Sequence, residues 1–183
     1  RYRCEHPMLD LQRAGYASRL VVWPANDPRD YAANFELLCL QRVPWGPVLE
    51  KTVDSARAKG AKIIFDVDDL LIHERFFDEL GAHILDDPVE RELTRGHVRQ
   101  MQATIERADL VFASTESLAA LLREAFPKTP VRVVRNRASQ RMVELAERAV
   151  ARSPGGARED AVVFGYFSGT KTHDHHLAMI APS

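Results

Sequence analysis

Six short, continuous apolar runs recur along the chain and predict the strands of a sheet. They lie at residues 20–23, 37–40, 63–65, 110–113, 131–134 and 162–164. Because the runs do not alternate with polar residues, they are typical of strands covered on both faces, as in a parallel sheet. The residues predicted to form the sheet core lie in the middle of these runs and are Leu20, Val22, Leu38, Leu40, Ile64, Val111, Phe112 and Val133.

The intervals between several runs carry apolar residues at helical spacing, together with residues that favour helix ends. Strands that alternate with helices predict an α/β fold with a doubly wound, Rossmann-like parallel sheet, because right-handed crossovers place helices on both faces. The helix signals are the stripe Leu49, Val53 and Ala56; the cap Asp87 with Pro88, followed by Val89, Leu93, Met101 and Ile105 to about Arg107; the cap Ser114 or Thr115 with Leu118, Leu121, Leu122 and Ala125; and the cap Ser139 with Met142, Val143, Ala146, Ala149 and Val150.

The segment "SPGGARED", residues 153–160, interrupts this pattern with proline, glycine and charge, which predicts a linker between domains. Residues 1–152 then form the first domain, and residues 161–183 supply the first strand, loop and helix start of a second one. The chain begins with Arg1 in place of Met and ends at "LAMIAPS". We therefore expect it to be a fragment with both termini cut.

Composition narrows the classes of protein that the chain can belong to. With 183 residues, 45% of them apolar and 28% charged, it can bury the core of one domain and part of another. The net charge of -1, from 25 basic and 26 acidic residues, argues against a nucleic-acid partner. Two cysteines, Cys4 and Cys39, are too few for a disulfide framework, and no apolar run approaches the roughly 20 residues of a membrane helix. These features predict a cytoplasmic protein.

Three carboxylates, Asp66, Asp68 and Asp69, follow the third apolar run in the stretch "FDVDDLL". Since ligands of open parallel sheets bind at the carboxyl ends of strands, these residues lie on the predicted functional edge. The stretch is similar to the first motif of haloacid-dehalogenase-like phosphatases, in which Asp66 would be the nucleophile and Asp68 the general acid beside magnesium. Against this, Leu70 stands where that family has Thr or Val. The structural alternative, which we favour, is that carboxylates close the strand and one caps the following turn.

A second candidate site lies in "GYFSGTKTHDHH", residues 165–176. Its glycine and lysine spacing does not fit a P-loop, but a strand followed by this sequence at a helix start offers amides, hydroxyls and a cation to a diphosphate. Here His173 can donate to an anion, whereas two histidines and one aspartate are fewer ligands than zinc requires. No metal site is therefore predicted. The residues that would contact the diphosphate are Ser168, Gly169, Thr170, Lys171 and His173.

Taken in order, the motifs resemble bacterial glycosyltransferases of the GT-B type, close to glycosyltransferase family 4. The resemblance spans nearly the whole chain and implies a nucleotide-sugar donor, hexosyl transfer, and a cell-surface polysaccharide, lipid-linked or similar acceptor. It also implies that backbone groups and basic side chains hold the donor diphosphate, without a metal or other cofactor. The segments that carry the resemblance are "RYRCEHPMLDLQRAG", "LLCLQRVPW", "KIIFDVDDLL", "ADLVFASTESLA", "VRVVRN" and "FGYFSGTKTHDHH".

The same resemblance implies roles for residues of the first domain. The cleft between the domains would be lined by Asp66, Asp68 and Asp69. The resemblance does not identify a catalytic residue. The fragment alone is expected to be inactive, because it lacks most of the donor domain, and the full-length protein to be cytoplasmic with possible peripheral contact at the inner face of the membrane. The phosphatase and a non-catalytic α/β binding module remain the alternatives. The residues expected to contact the acceptor or line the cleft are Tyr2, Arg3, Arg42 and Asn136.

Overall fold

The structure is a computed structural model that describes residues 3–22, 34–81 and 87–152, except for the side chains of residues 78–81. In these ranges strands alternate with helices, as the apolar pattern predicts. The elements in chain order are α1 (Glu5–Arg13), β1 (Leu37–Gln41), α2 (Pro47–Arg57), β2 (Lys62–Val67), α3 (Glu74–Gly81), α4 (Pro88–Arg107), β3 (Leu110–Ala113), α5 (Glu116–Ala125), β4 (Val131–Val133) and α6 (Gln140–Arg152).

The four described strands form one parallel sheet in the consecutive order β1-β2-β3-β4. Leu40 pairs with Phe65, Phe65 with Val111, and Val111 with Val131, so these four side chains share one face. Each strand overlaps a predicted run, which confirms an α/β fold with a parallel sheet, although β2 extends beyond its run and includes Asp66. The run at residues 162–164 lies outside the described residues.

The main core lies between this face of the sheet and the helices α2, α4 and α5. Phe65, Val67, Val111 and Ala113 are fully buried there. Helix residues complete the same apolar cluster, and they include Leu49, Val53, Ala56, Val98, Ile105, Leu118 and Leu122.

The opposite face of the sheet is less covered by the described residues. Leu37 is 59% exposed and Cys39 is exposed, while Ile64 is buried and Phe112 is half-buried. Right-handed crossovers that all advance in one direction place their helices on a single face. A doubly wound sheet requires a reversal of strand order, which the described strands do not contain, so that part of the fold prediction stays a prediction.

The prediction of a first strand at residues 20–23 is wrong for residues 20–22, the part of this run that the structure describes. Residues 20–22 form no strand, and Leu20 is 43% and Val22 71% exposed. A strand is stable only where another strand accepts its backbone hydrogen bonds, and this short run has no such partner in the described sheet. Of the predicted core residues, Leu40, Ile64 and Val111 are buried. The partly buried ones are Leu38, Phe112 and Val133.

Helix caps agree closely with the sequence prediction. The Asp87 side chain accepts a hydrogen bond from Val89 N at 2.7 Å, and Thr115 Oγ1 accepts one from Leu118 N at 3.1 Å. At the start of α6, Ser139 Oγ accepts a hydrogen bond from Met142 N at 3.2 Å. Capping is a local interaction between neighbours in sequence, and this is why it could be predicted without the fold.

The apolar stripe predicted along α4 is buried only in its second half. Met101 and Ile105 belong to the core, whereas Val89 is 68% and Leu93 65% exposed. Helix α3 was not predicted. Its first turns bury adjacent phenylalanines, including Phe77, and this short run lacks the repeated spacing by which longer helices are identified.

The chain divides into two compact units, Arg1–Val143 and Glu144–Ser183, with the boundary inside α6. Of the second unit, the structure describes residues 144–152, which are helical. The predicted linker at residues 153–160 and the segment 161–183 lie outside the described residues. Among the described helices, none combines the length and the apolar content needed to cross a membrane.

Candidate functional site at the carboxyl edge of the sheet

Polar residues of four segments meet at the carboxyl edge of the parallel sheet. Arg42 follows β1, Asp66 lies near the end of β2, Ser114 follows β3, and Asn136 comes three residues after β4. Parallel strands all end at the same edge, so the fold gathers side chains that are far apart in sequence.

The centre of this edge is an ion pair between Asp66 and Arg3. Asp66 is 2% exposed, and its Cα partners Gln41 and Phe112 place it on the face opposite the main core. The Arg3 guanidinium donates from Nε to Asp66 Oδ2 at 2.9 Å and from Nη2 to Asp66 Oδ1. This two-point geometry is the strong form of an arginine–carboxylate pair. It engages both oxygens of the carboxylate.

The electrostatics of Asp66 combine opposing effects. Burial raises the pKa of the Asp66 carboxyl above its ordinary value, the hydrogen bond and charge of Arg3 lower it, and the nearby Asp68 carboxylate raises it. The net direction is upward. Removing a carboxylate from water is costly, and the Arg3 pair offsets only part of that cost.

Arg3 also connects Asp66 to the segment after β4. Its Nη1 donates to the carbonyl oxygen of Val134 at 2.5 Å and to Asn136 Oδ1 at 3.2 Å. In the first turn of α1, His6 Nδ1 lies 2.9 Å from Ser139 Oγ, and the two share a hydrogen bond. The start of the described chain is therefore bound to the 134–139 segment at several points.

Arg42 stands beside this group in an uncommon backbone conformation. Its φ of 53° lies in the left-handed region, which non-glycine residues rarely adopt. Its backbone N–H donates to the carbonyl oxygen of Asp66 at 3.2 Å, and its Nη1 lies 2.7 Å from Asp69 Oδ2. The same Asp69 accepts a hydrogen bond from Leu71 N at 3.1 Å through Oδ1. This last bond confirms the structural alternative that one of the three carboxylates caps the following turn.

The structure thus brings together most of the predicted cleft residues of the first domain. Arg3 contacts both Asp66 and Asn136, Arg42 is paired with Asp69, and Asp68 is exposed on the same turn. No group of three or more His, Cys, Asp or Glu side chains suited to a metal ion occurs among the described residues. The predicted cleft residue Tyr2 and the predicted donor diphosphate residues lie outside those residues; the latter are Ser168, Gly169, Thr170, Lys171 and His173.

Two residues of this edge were not predicted as part of a site. Ser139 was predicted only as a helix cap, and His6 was not singled out. Their pairing joins residues 133 positions apart. No periodicity or local motif reports such a contact, so only the fold could reveal it.

No protein-family model, curated protein or solved structure matches the chain. The fold defines the class of protein as α/β with a four-stranded parallel sheet flanked by helices, consistent with a Rossmann-like arrangement. Function has to be inferred from the chemistry of the carboxyl edge.

Proposed function

We propose that the chain is the acceptor-side part of a glycosyltransferase that moves a hexose from a nucleotide sugar to a glycan or lipid-linked acceptor. The observation that carries the proposal is the polar group at the carboxyl edge, centred on the buried Arg3–Asp66 pair. In open parallel sheets this edge is where ligands bind. The order of motifs in the sequence supports the same function.

The side chains at this edge suit a ligand rich in hydroxyl groups. Each sugar hydroxyl both donates and accepts hydrogen bonds, so it is best recognised by carboxylates and N–H donors side by side. Asp68 and Asn136 are exposed here, and the Arg42–Asp69 pair is partly exposed, with side chains at 41% and 35%. We assign Asp68 and Asp69 as acceptors for sugar hydroxyls, Arg42 as a donor to them, and Asn136 as a donor that lines the cleft.

The donor diphosphate is assigned to the segment containing Ser168, Gly169, Thr170, Lys171 and His173, which lies outside the described residues. There Gly169 would let the backbone approach the phosphates closely and Lys171 would add a positive charge. Neither a metal nor another cofactor forms part of the proposal. The proposal places the full-length enzyme in the cytoplasm, with its acceptor at or near the inner face of the membrane.

The geometry of Asp66 argues against the phosphatase alternative. A nucleophilic carboxylate must present a free oxygen to the phosphorus atom. Both Asp66 oxygens accept from Arg3, and the residue is 2% exposed. Its arrangement is better suited to holding Arg3 than to attacking a substrate.

Calorimetric titration of the full-length protein with a panel of nucleoside-diphosphate sugars tests the proposal. We expect at least one to bind, Gly169→Val to weaken that binding by about tenfold or more through steric exclusion, and Asp68→Asn to change it by less than about twofold. The Asp68→Asn enzyme should instead transfer sugar more slowly, because an acceptor contact is lost.

Other outcomes would select the alternatives. If Asp68→Asn abolishes nucleotide binding and Gly169→Val does not, the carboxylates are the phosphate site and the proposal is wrong. Magnesium-dependent phosphate release that is lost in Asp66→Asn would identify a phosphatase. Failure of every nucleotide sugar to bind would favour a non-catalytic binding module.

A further inference from the structure

Arg3 fixes the orientation of the Asn136 side-chain amide. A guanidinium group carries only hydrogen-bond donors, so the amide atom that faces Arg3 Nη1 at 3.2 Å has to be the oxygen, Oδ1. The amide nitrogen, Nδ2, then points away from Arg3. Asn136 is exposed, and no described residue accepts a hydrogen bond from its Nδ2. The arrangement therefore presents an oriented N–H donor at the carboxyl edge.

Arg3 is itself held in place by Asp66. The two-point contact defines the plane of the guanidinium, and the side chains of the pair are only 7% and 4% exposed. Two parallel hydrogen bonds give more geometric definition than a single one. Asp66, Arg3 and Asn136 thus form a relay in which the buried carboxylate sets the position of the exposed amide.

The residues that flank Asn136 in sequence are positively charged. Arg135 and Arg137 flank it in sequence and both are exposed, and the segment 134–139 contains no acidic residue. The charge of Asp66 is paired with Arg3, and that of Asp69 with Arg42. In the turn after β2, the charge of Asp68 is then left to oppose the positive charges of Arg135 and Arg137. An oriented amide between two exposed arginines favours an anionic oxygen over a neutral ligand.

We propose that Asn136, Arg135 and Arg137 form a binding site for a phosphate group, in which Asn136 Nδ2 donates to a phosphate oxygen. Arg3 and Asp66 are positioning residues, since they act on the ligand through Asn136. The site deepens the proposed function and rests on it for the source of the phosphate. That source is either the diphosphate of the nucleotide sugar or the phosphate of a phosphorylated acceptor.

Side-chain amide NMR provides the test, because the sequence contains three asparagines and Asn136→Asp identifies the signal by its disappearance. Labelled protein is titrated with inorganic pyrophosphate, then with nucleoside diphosphates and with glycerol phosphate as a stand-in for a phosphorylated acceptor. We expect the Asn136 signals to move saturably. Asn136→Asp, which replaces the donor with a carboxylate, should weaken pyrophosphate binding about tenfold or more.

Gln100→Glu is the matched control for Asn136→Asp. It makes the same amide-to-carboxylate change at an exposed position on α4, outside the segment 134–139, and should alter pyrophosphate affinity by less than twofold. Equal affinities of Asn136→Asp and the unsubstituted protein would overturn the phosphate site. So would equal losses in Asn136→Asp and Gln100→Glu, because they would report only net charge.

Arg3→Lys tests the positioning role, because lysine keeps the charge but cannot make the two-point contact. We expect the two Asn136 Nδ2 proton signals to approach the shifts of a free amide and pyrophosphate binding to weaken, while circular dichroism shows the fold retained. Unchanged Asn136 signals would overturn the relay. If Arg3→Lys fails to fold, Asp66→Glu, which keeps the charge and lengthens the side chain, provides the same readout.

The titrations separate this inference from the proposed function. Pyrophosphate that binds at Asn136 without any nucleotide sugar binding elsewhere would support the phosphate site and refute the glycosyltransferase. If a nucleotide sugar binds and its sugar is transferred, while none of the phosphate probes moves the Asn136 signals, the glycosyltransferase is supported and the phosphate site is refuted. If nucleoside diphosphates move the Asn136 signals, the bound phosphate comes from the donor. If glycerol phosphate moves them, it comes from the acceptor.

Discussion

At the scale of single residues, the three neighbouring aspartates prove to have three different environments. Asp66 is buried and paired with Arg3, Asp69 caps a turn and pairs with Arg42, and Asp68 is exposed. Their place at a strand end could be predicted from the sequence, as could one turn cap. Which carboxylate is buried could not, because that depends on Arg3, 63 positions away.

The pKa of Asp66 is expected to lie above that of a free aspartate, because burial outweighs the attraction of Arg3. Between the ordinary and the raised pKa the folded protein binds more protons than the unfolded chain, so the free energy of unfolding should fall as pH rises through this window. Carboxyl carbon NMR gives the pKa, and denaturant unfolding across pH gives the stability.

The Arg3→Gln variant sharpens the same prediction. Loss of the guanidinium removes the hydrogen bond and the positive charge that lower the pKa of Asp66, so this pKa should rise further. Arg132→Gln, at an exposed position on β4, is the control and should leave this pKa unchanged. An Asp66 pKa below that of a free aspartate would mean that attraction to Arg3 outweighs burial.

The left-handed backbone conformation of Arg42 leads to a separate prediction about the stability of two variants. Replacement by Ala or by Gly removes the same ion pair with Asp69, but only Gly adopts a φ near 53° without strain. We expect Arg42→Gly to be more stable than Arg42→Ala by about 1 kcal/mol in denaturant unfolding. Equal stabilities would show that the backbone leaves this conformation once the arginine is removed.

At the scale of elements, features with local causes were predictable and features with distant causes were not. The start of α4 follows from a cap at Asp87 and a proline at its first position, and both act within one turn. The apolar run at residues 20–22 resembles the true strands in composition but has no strand partner in the described sheet. A strand needs a neighbour, and a sequence pattern does not say whether one is present.

Replacement of glycine by alanine is expected to have opposite effects on stability at two positions. Gly60, just after α2, has a φ of 86°, whereas Gly96 lies inside α4, and a Cβ at either position would meet no atom within 4 Å. Gly60→Ala should therefore destabilise the fold by about 1 kcal/mol through backbone strain alone. Gly96→Ala should stabilise it by about 0.5–1 kcal/mol, because alanine favours a helix. Thermal or denaturant unfolding measures both, and shifts of the same sign would contradict the prediction.

At the scale of the whole molecule, the alternation of apolar runs and helices was enough to predict a parallel α/β sheet. It was not enough to predict which face of the sheet is covered. The described strands follow one another in order, with one face in the main core and Leu37 and Cys39 exposed on the other. Continuous apolar runs predict burial on both faces, but coverage depends on where the crossovers pass.

The bonds from Arg3 to the segment after β4 also bear on the order in which the chain folds. Each strand pairs with the strand before it, so the sheet can grow by addition as the chain emerges during synthesis. The contacts of Arg3 with Val134 and Asn136 instead close loops of 131 and 133 residues. These contacts can form only after β4 has been made. The carboxyl edge is thus completed only after the four described strands have been made. A nascent chain that ends before β4 could begin its sheet, but Arg3 would lack its contacts with Val134 and Asn136.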